Sequence, residues 1–193
     1  MLARQEHSPE AARSIDRVLS AAARMDRFIG DMTDFTQTRL TGTLPLERAK
    51  LDLGDLLEQV VLEAQARGKR ELRMLRVGDL TGEWDGGRLL RMIVNLVNNA
   101  FAYGDPSTPV DLRVEGEDGC VVPRVHNEGE PIPAELRTRL FEPFRRGTKG
   151  AGSGLGLYIV QQIARTHCGR VEVESAAGRG TTFCVRLPRR ATA

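Results

Sequence analysis

Gly150-Ala151-Gly152-Ser153-Gly154-Leu155-Gly156-Leu157 decides how this chain is read. Four glycines at alternate positions run straight into an apolar-periodic segment that continues as a helix to about His167. Free backbone N–H groups at a helix start, together with the helix dipole, form a cradle for phosphate. No Gly-Lys-Ser/Thr follows, so the segment is not a P-loop. No strand precedes it and the spacing is G-x-G-x-G, which sets aside a dinucleotide fingerprint.

Upstream, a helix is expected from Arg88 to about Ala102, after the break at Asp85-Gly86-Gly87. Asn95 and Asn99 are spaced four apart and share one face of it, with Ala102 and Tyr103 a turn later. A neutral amide oxygen suits Mg²⁺ when phosphates supply the negative charge. The plainer reading is a wet helix face, yet the amides sit among Ile93, Val94, Leu96 and Val97, where lysine or glutamate costs less at a surface. Between the two elements, His126-Asn127-Glu128-Gly129-Glu130-Pro131-Ile132-Pro133 closes an expected strand. A polar side chain there can meet a ligand edge, Gly129 permits close backbone approach and Ile132 offers an apolar wall.

The remainder alternates short strands and helices and predicts an α/β domain. Leu46 to Leu53 reads as a strand leading into a helix to about Arg67, and Glu71 to Val77 as a strand with Thr81 to Trp84 as its pairing partner. Val110 to Glu115 and Cys120 to Val125 form a hairpin across Gly116-Glu117-Asp118-Gly119, the second strand weakened by Pro123. Arg170 to Ser175 and Thr181 to Leu187 form another, around Ala177-Gly178-Arg179-Gly180. Ahead of all this, Ile15, Val18, Ala22, Met25, Ile29 and Met32 alternate steps of three and four, widened by Leu19, Phe28 and Phe35. They predict a long amphipathic helix from Pro9 to about Leu40, capped by Ser8 and stopped at Thr41-Gly42, packing in a bundle or dimer.

The chain has 193 residues, 40% hydrophobic and 28% charged, enough for one core plus a helical appendage and too few for a multidomain receptor. Twenty-eight basic residues against 26 acidic ones leave a net charge of +2. The charges are interspersed, so neither nucleic acid nor an anionic membrane surface is an expected partner. Cys120, Cys168 and Cys184 show no C-x-x-C spacing, which argues against a zinc site or disulfide framework and for a reducing, cytoplasmic setting. No apolar run reaches the ~18 residues of a membrane span, and the first ten residues lack a signal-peptide core.

The order of motifs carries a family resemblance. Asn-x-x-x-Asn-Ala at 95–100, Asn-x-Gly-x-Pro-Ile-Pro at 127–133, Leu-Phe-Glu-Pro-Phe at 140–144, Gly-Ser-Gly-Leu-Gly-Leu at 152–157 and Gly180-Thr181-Thr182-Phe183 resemble the N, G1, F and G2 boxes and closing strand of the ATP-binding domain of bacterial sensor histidine kinases. The resemblance spans about Leu46 to Pro188. It implies the Bergerat fold, a two-layer α/β sandwich with a mixed sheet and helices on one face, shared with the gyrase and heat-shock chaperone ATPases. It also implies ATP with Mg²⁺. Asn99 then ligates the metal, Asn95 and Arg146 act on the phosphates as catalytic residues, and Tyr103 lies against adenine. Asn127 meets the adenine amino group, Gly129 and Ile132 border that pocket, and the backbone of Gly152, Gly154, Leu155 and Gly156 meets the phosphates, with 147–152 as the lid anchored by Phe141 and Phe144.

Three positions depart from the family pattern: Asn127 for an aspartate, Pro131 for a glycine, Ala102 for a basic residue. Each counts against tight nucleotide binding, and the alternative expectation is a nucleotide-blind or weakly binding interaction module that docks a kinase or response regulator through the N-terminal helix. The ATPases of the group, and the anti-sigma serine kinases, place a glutamate where Asn95 stands; an amide cannot take a proton from water, which favours phosphotransfer over hydrolysis. The helix of residues 1–45 resembles the second helix of a dimerisation and phosphotransfer hairpin, and residues 46–193 the catalytic domain. No histidine here has the following acidic residue expected of a phosphoacceptor, since His7 precedes Ser8-Pro9. The expected partners are therefore a second copy or a phosphotransfer helix docked on the N-terminal helix, and a response regulator receiver domain.

Overall fold

The computed structural model describes residues 9–66, 70–145 and 153–190. Helix α1 spans Pro9–Thr41, about 50 Å at 1.5 Å per residue. It stops where expected: Gly42 takes φ +76° and donates its N–H to Thr38 O, a left-handed termination that glycine adopts without steric cost. The Ser8 cap lies outside the described residues. Then follow β1 (Ala49–Asp52), α2 (Leu53–Ala66), β2 (Leu72–Val77), β3 (Thr81–Trp84), α3 (Gly86–Tyr103), β4 (Val110–Glu117), β5 (Cys120–Asn127), α4 (Ala134–Arg137), α5 (Gly156–Thr166), β6 (Arg170–Ala176) and β7 (Gly180–Pro188).

Five strands form one mixed sheet in the order β2-β4-β5-β7-β6, with β2 parallel to β4 and every other pair antiparallel. Alternation sets its inner face. Val110, Leu112 and Val114 of β4, Val121 and Val125 of β5, and Phe183, Val185 and Leu187 of β7 are at most 1% exposed, and α2, α3 and α5 cover them with Leu57, Ile93, Leu96 and Ile159. Each such side chain contributes about 1.5–3 kcal/mol by leaving water. The outer face carries an ion-pair ladder through Arg113, Glu115, Arg124, Glu117 and Arg186. The result is the two-layer sandwich with helices on one face.

Two pairings differ from the sequence reading. β3 pairs with β1, Ala49 opposite Trp84, in a separate two-stranded sheet; it does not pair with β2, which instead lies parallel to β4. Trp84 anchors this arrangement, 1% exposed and donating its indole N–H to Pro188 O at 2.7 Å. The β4–β5 ladder also continues through Gly116 and Glu117, so the loop is only Asp118-Gly119. Gly116 is a packing glycine: a Cβ there would stand 2.0 Å from Asp79 O. Pro123 has the expected local effect. The β4 ladder is continuous past it, while the β7 ladder lacks pairs at Val122 and Pro123, the side on which its missing N–H is felt.

The N-terminus of α3 and the C-terminus of α5 are tied together. Asp85 is the N-cap of α3, accepting from Arg88 N–H, and also accepts from Glu47 N–H. Its own N–H donates to His167 Nε2 at 3.1 Å, while His167 Nδ1 lies 2.8 Å from Ile163 O. A carbonyl only accepts, so Nδ1 carries the proton and the ring is neutral. His167 is 2% exposed, and burial pushes its pKa below the ordinary value. Beyond it α5 ends in a Schellman motif, Gly169 N–H to Ala164 O and Cys168 N–H to Arg165 O, with Cys168 at φ +59° where glycine is usual.

Candidate functional site

α3 presents two faces. Leu89, Met92, Ile93, Leu96, Val97 and Ala100 are buried against the sheet, which leaves Arg88, Arg91, Asn95 and Asn99, spaced three, four and four, on a second stripe. Asn95 and Asn99 are half-buried. The Asn95 carboxamide stands against the start of α5, its Oδ1 3.7 Å from where a Cβ on Gly156 would sit, and its Nδ2 is buried without a hydrogen-bond partner. A buried donor left unpaired costs free energy until something supplies an acceptor. An anionic oxygen at the α5 N-terminus would do so.

The C-terminal end of α3 meets the end of β5. Tyr103 is exposed there, α3 stops at Gly104, and Asp105 N–H donates to Glu128 O. Gly104 is required by the crowding: a Cβ on it would lie 2.6 Å from Ala100 O and 3.0 Å from Asn127 Cβ. Gly129, at φ +140°, approaches Asp105 N as closely. Asn127 is 5% exposed and donates from Nδ2 to Glu128 O at 3.0 Å. Because Glu128 O can only accept, the amide orientation is fixed and Oδ1 is the free acceptor. Ile132 is half-buried against the core, its N–H held by Ser175 Oγ, which also meets Thr181 Oγ1. Opposite, Arg70 binds Ala100 O and Thr108 Oγ1, and Asp105 is held below the usual carboxylate range by the Ser107 hydroxyl and N–H, then by Arg70.

The glycine-rich segment ahead of α5 is described from Ser153 onward. Arg146, Gly152 and the expected lid at 147–152 lie outside the described residues. Gly154 adopts φ +72° against the backbone of Phe144 and Arg145, and Leu155 is buried and accepts from Ile159 N–H. Phe144, itself at φ +62°, stacks edge-on with Phe35 of α1, centroids 5.1 Å apart, while Phe141 packs against the core. The structure therefore brings Asn95, Gly154, Leu155 and Gly156 together at one end, and Tyr103, Asn127, Gly129 and Ile132 at the other, with Asn99 between them on α3. Among the described residues no three His, Cys, Asp or Glu side chains gather as a metal site. A cation here would rest on the neutral amide of Asn99 and on ligand phosphates, which suits a hard ion carried in with a nucleotide.

The sequence reading missed how α1 is attached. Arg88 meets Asp34 at 2.6 Å, and Arg91 meets both Asp31 at 2.8 Å and Asp34 at 2.7 Å. Asp31 and Asp34 are 8% and 3% exposed. Thr38 Oγ1 lies 2.9 Å from Tyr158 OH of α5. Acidic residues at i, i+3 on α1 and basic residues at i, i+3 on α3 carry no local signal that the two helices meet. Met32 and Phe35 do pack on the core, but Val18, Leu19, Met25 and Ile29 are more than 60% exposed.

The pattern of the family described as histidine kinase-, DNA gyrase B-, and HSP90-like ATPase matches residues 84–191. The probable sensor histidine kinase TcrY of Mycobacterium tuberculosis is 36% identical over 93% of this chain and 39% of its own. The alginate biosynthesis sensor protein KinB of Pseudomonas aeruginosa is 33% identical over 93% and 31%. The chain thus spans well under half the length of these curated relatives. Among solved structures, the mycobacterial sensor histidine kinase MprB superposes with a TM-score of 0.64 at 28% identity, covering 76% of this chain and all of that one.

Proposed function

Because the chain belongs to the histidine kinase-, DNA gyrase B-, and HSP90-like ATPase family, with sensor histidine kinases as its relatives, we propose that it binds ATP with Mg²⁺ and donates the γ-phosphate to a histidine. That histidine lies on a phosphotransfer helix other than α1, and a response regulator receiver domain takes the phosphate next. The observation that carries the reading is Asn127. Its amide is turned by Glu128 O so that a carbonyl oxygen is left to accept, which answers an exocyclic amino group as adenine presents it and not the carbonyl of guanine. The bond lacks the charge an aspartate would lend, so it is about half as strong.

Tyr103 and Ile132 supply the apolar surfaces for the base. Asn95 Nδ2 and the backbone N–H groups from Gly154 to Gly156, with Gly152 and Arg146 completing the set, hold the phosphates at the positive end of α5. Mg²⁺ bound by Asn99 would neutralise phosphate charge during transfer. Asn95 orients but removes no proton, so water is not activated and the γ-phosphoryl is kept for the histidine nitrogen, with ADP leaving. A second reading, an interaction module that binds nucleotide weakly or not at all, is favoured by the exposed apolar stripe of α1. That stripe would dock a kinase or a response regulator.

Calorimetry with Mg·ADP and Mg·ATP separates them. The donor site predicts saturable binding that falls at least about tenfold in Asn99→Ala, the scale of one charge-assisted contact. No heat from a folded sample would leave the interaction module as the function.

A further inference from the structure

Ser153 makes two hydrogen bonds, and together they connect α1 to the phosphate-binding end. Its Oγ accepts the N–H of Leu155 at 3.2 Å, one of the backbone donors assigned above to phosphate. Its hydroxyl proton goes to Asp31 Oδ2 of α1 at 3.1 Å. Leu155 lacks a capping side chain of its own at the start of α5; Ser153 is what meets that N–H. Asp31 is held for this contact by Arg91, bonded to its other oxygen at 2.8 Å, and Arg91 lies one turn from Asn95 on the same stripe of α3. Arg91 is also pinned by Asp34 at 2.7 Å, so the arrangement does not rest on a single ion pair.

We infer that Asp31 is a positioning residue that turns Ser153 away from the nucleotide, so that docked α1 and the phosphates compete for the Ser153 hydroxyl and the Leu155 N–H. The inference rests on the nucleotide reading above. Two physical effects act in the same direction. A phosphate oxygen reaching Leu155 N–H must displace Ser153 Oγ, and Ser153 can donate to phosphate only by releasing Asp31. The Asp31 carboxylate also adds a negative charge beside the anion, in a setting less screened than water. The adenine end, at Asn127 and Gly129, is not touched by this relay. Competition therefore acts on nucleotides through their phosphates and spares the nucleoside.

The test is binding of Mg·ADP and of adenosine, by calorimetry, to the wild-type chain, Asp31→Asn, Asp31→Ser, Ser153→Ala and the Asp31→Asn/Ser153→Ala double variant. Both Asp31 substitutions are expected to tighten ADP about tenfold, the worth of one hydrogen bond to a charged group, with adenosine changed less than about twofold. In the Ser153→Ala background the gain from Asp31→Asn should shrink to the charge effect alone, about twofold. A purely structural role for Asp31 would move ADP and adenosine together. Unchanged or weaker ADP binding by folded Asp31 variants that still bind adenosine would overturn the inference and leave the nucleotide site standing. Absence of binding by every protein, with intact melting transitions, would overturn the nucleotide reading and this inference with it.

Discussion

Acidification should loosen the joint between α3 and α5 through His167. The neutral ring accepts from Asp85 N–H and donates to Ile163 O, and a proton added at Nε2 would face a donor instead of an acceptor. Burial lowers the folded-state pKa; Ile163 O and Asp85 work in the opposite sense, and Arg48 and Arg88 nearby also disfavour the cation. The unfolded chain therefore takes up a proton below about pH 6.5, and the folded chain only at a lower pH. Stability is fully present above that pH and falls as pH drops toward the folded-state pKa, with a slope of about 1.4 kcal/mol per pH unit for one proton. Between pH 7.5 and 5.5 the loss is at most about 1.4 kcal/mol, the limit for one proton bound only by the unfolded chain, or at most about 3–6 °C in melting temperature for a chain of this size. The assay is a thermal melt at both pH values for wild type and His167→Gln. The glutamine variant should be less stable at pH 7.5, having lost one or two buried hydrogen bonds, and its pH-dependent drop should be smaller than that of the wild type. An equal drop in the variant would refute the tautomer and burial argument, because His126 and His7 are common to both proteins.

Cys168→Gly should stabilise the chain by about 0.5–1 kcal/mol in urea unfolding, since the position sits at φ +59° on the exposed end of a Schellman motif and glycine removes the left-handed strain. Gly180→Ala should cost about 3 kcal/mol and weaken ADP binding: the residue is at φ +63° and its Cβ would stand 2.2 Å from Asn127 O, so the strand end carrying Asn127 must move. Ile29→Glu should abolish self-association or docking of a phosphotransfer helix, read by light scattering, without lowering the melting temperature, because Ile29 is 61% exposed. A wild-type monomer that docks no such helix would contradict the role given to the α1 stripe.

The strands and helices of the sandwich were readable because their signals are local. Period-two burial in β4 and β7, the Asp85 cap of α3, the Gly42 stop of α1 and the glycine run before α5 each arise from residues near one another in the chain. The ordered motifs likewise singled out Asn95, Asn99, Asn127 and Gly156 as candidates, since a glycine-rich helix start and an amide pair depend on spacing along one helix or loop. Pairing across distance was not readable. The choice of β1 over β2 as partner for β3 depends on where Trp84 finds Pro188 O. The acidic face of α1 was equally silent: Asp31 and Asp34 look like solvated charges in the sequence and become buried only when Arg88 and Arg91 meet them. Local periodicity and motif order determined the layers and pointed to the candidate site; only tertiary packing decided that a helix more than a hundred residues upstream takes hold of Ser153, because an ion pair carries no pattern until both partners share a place.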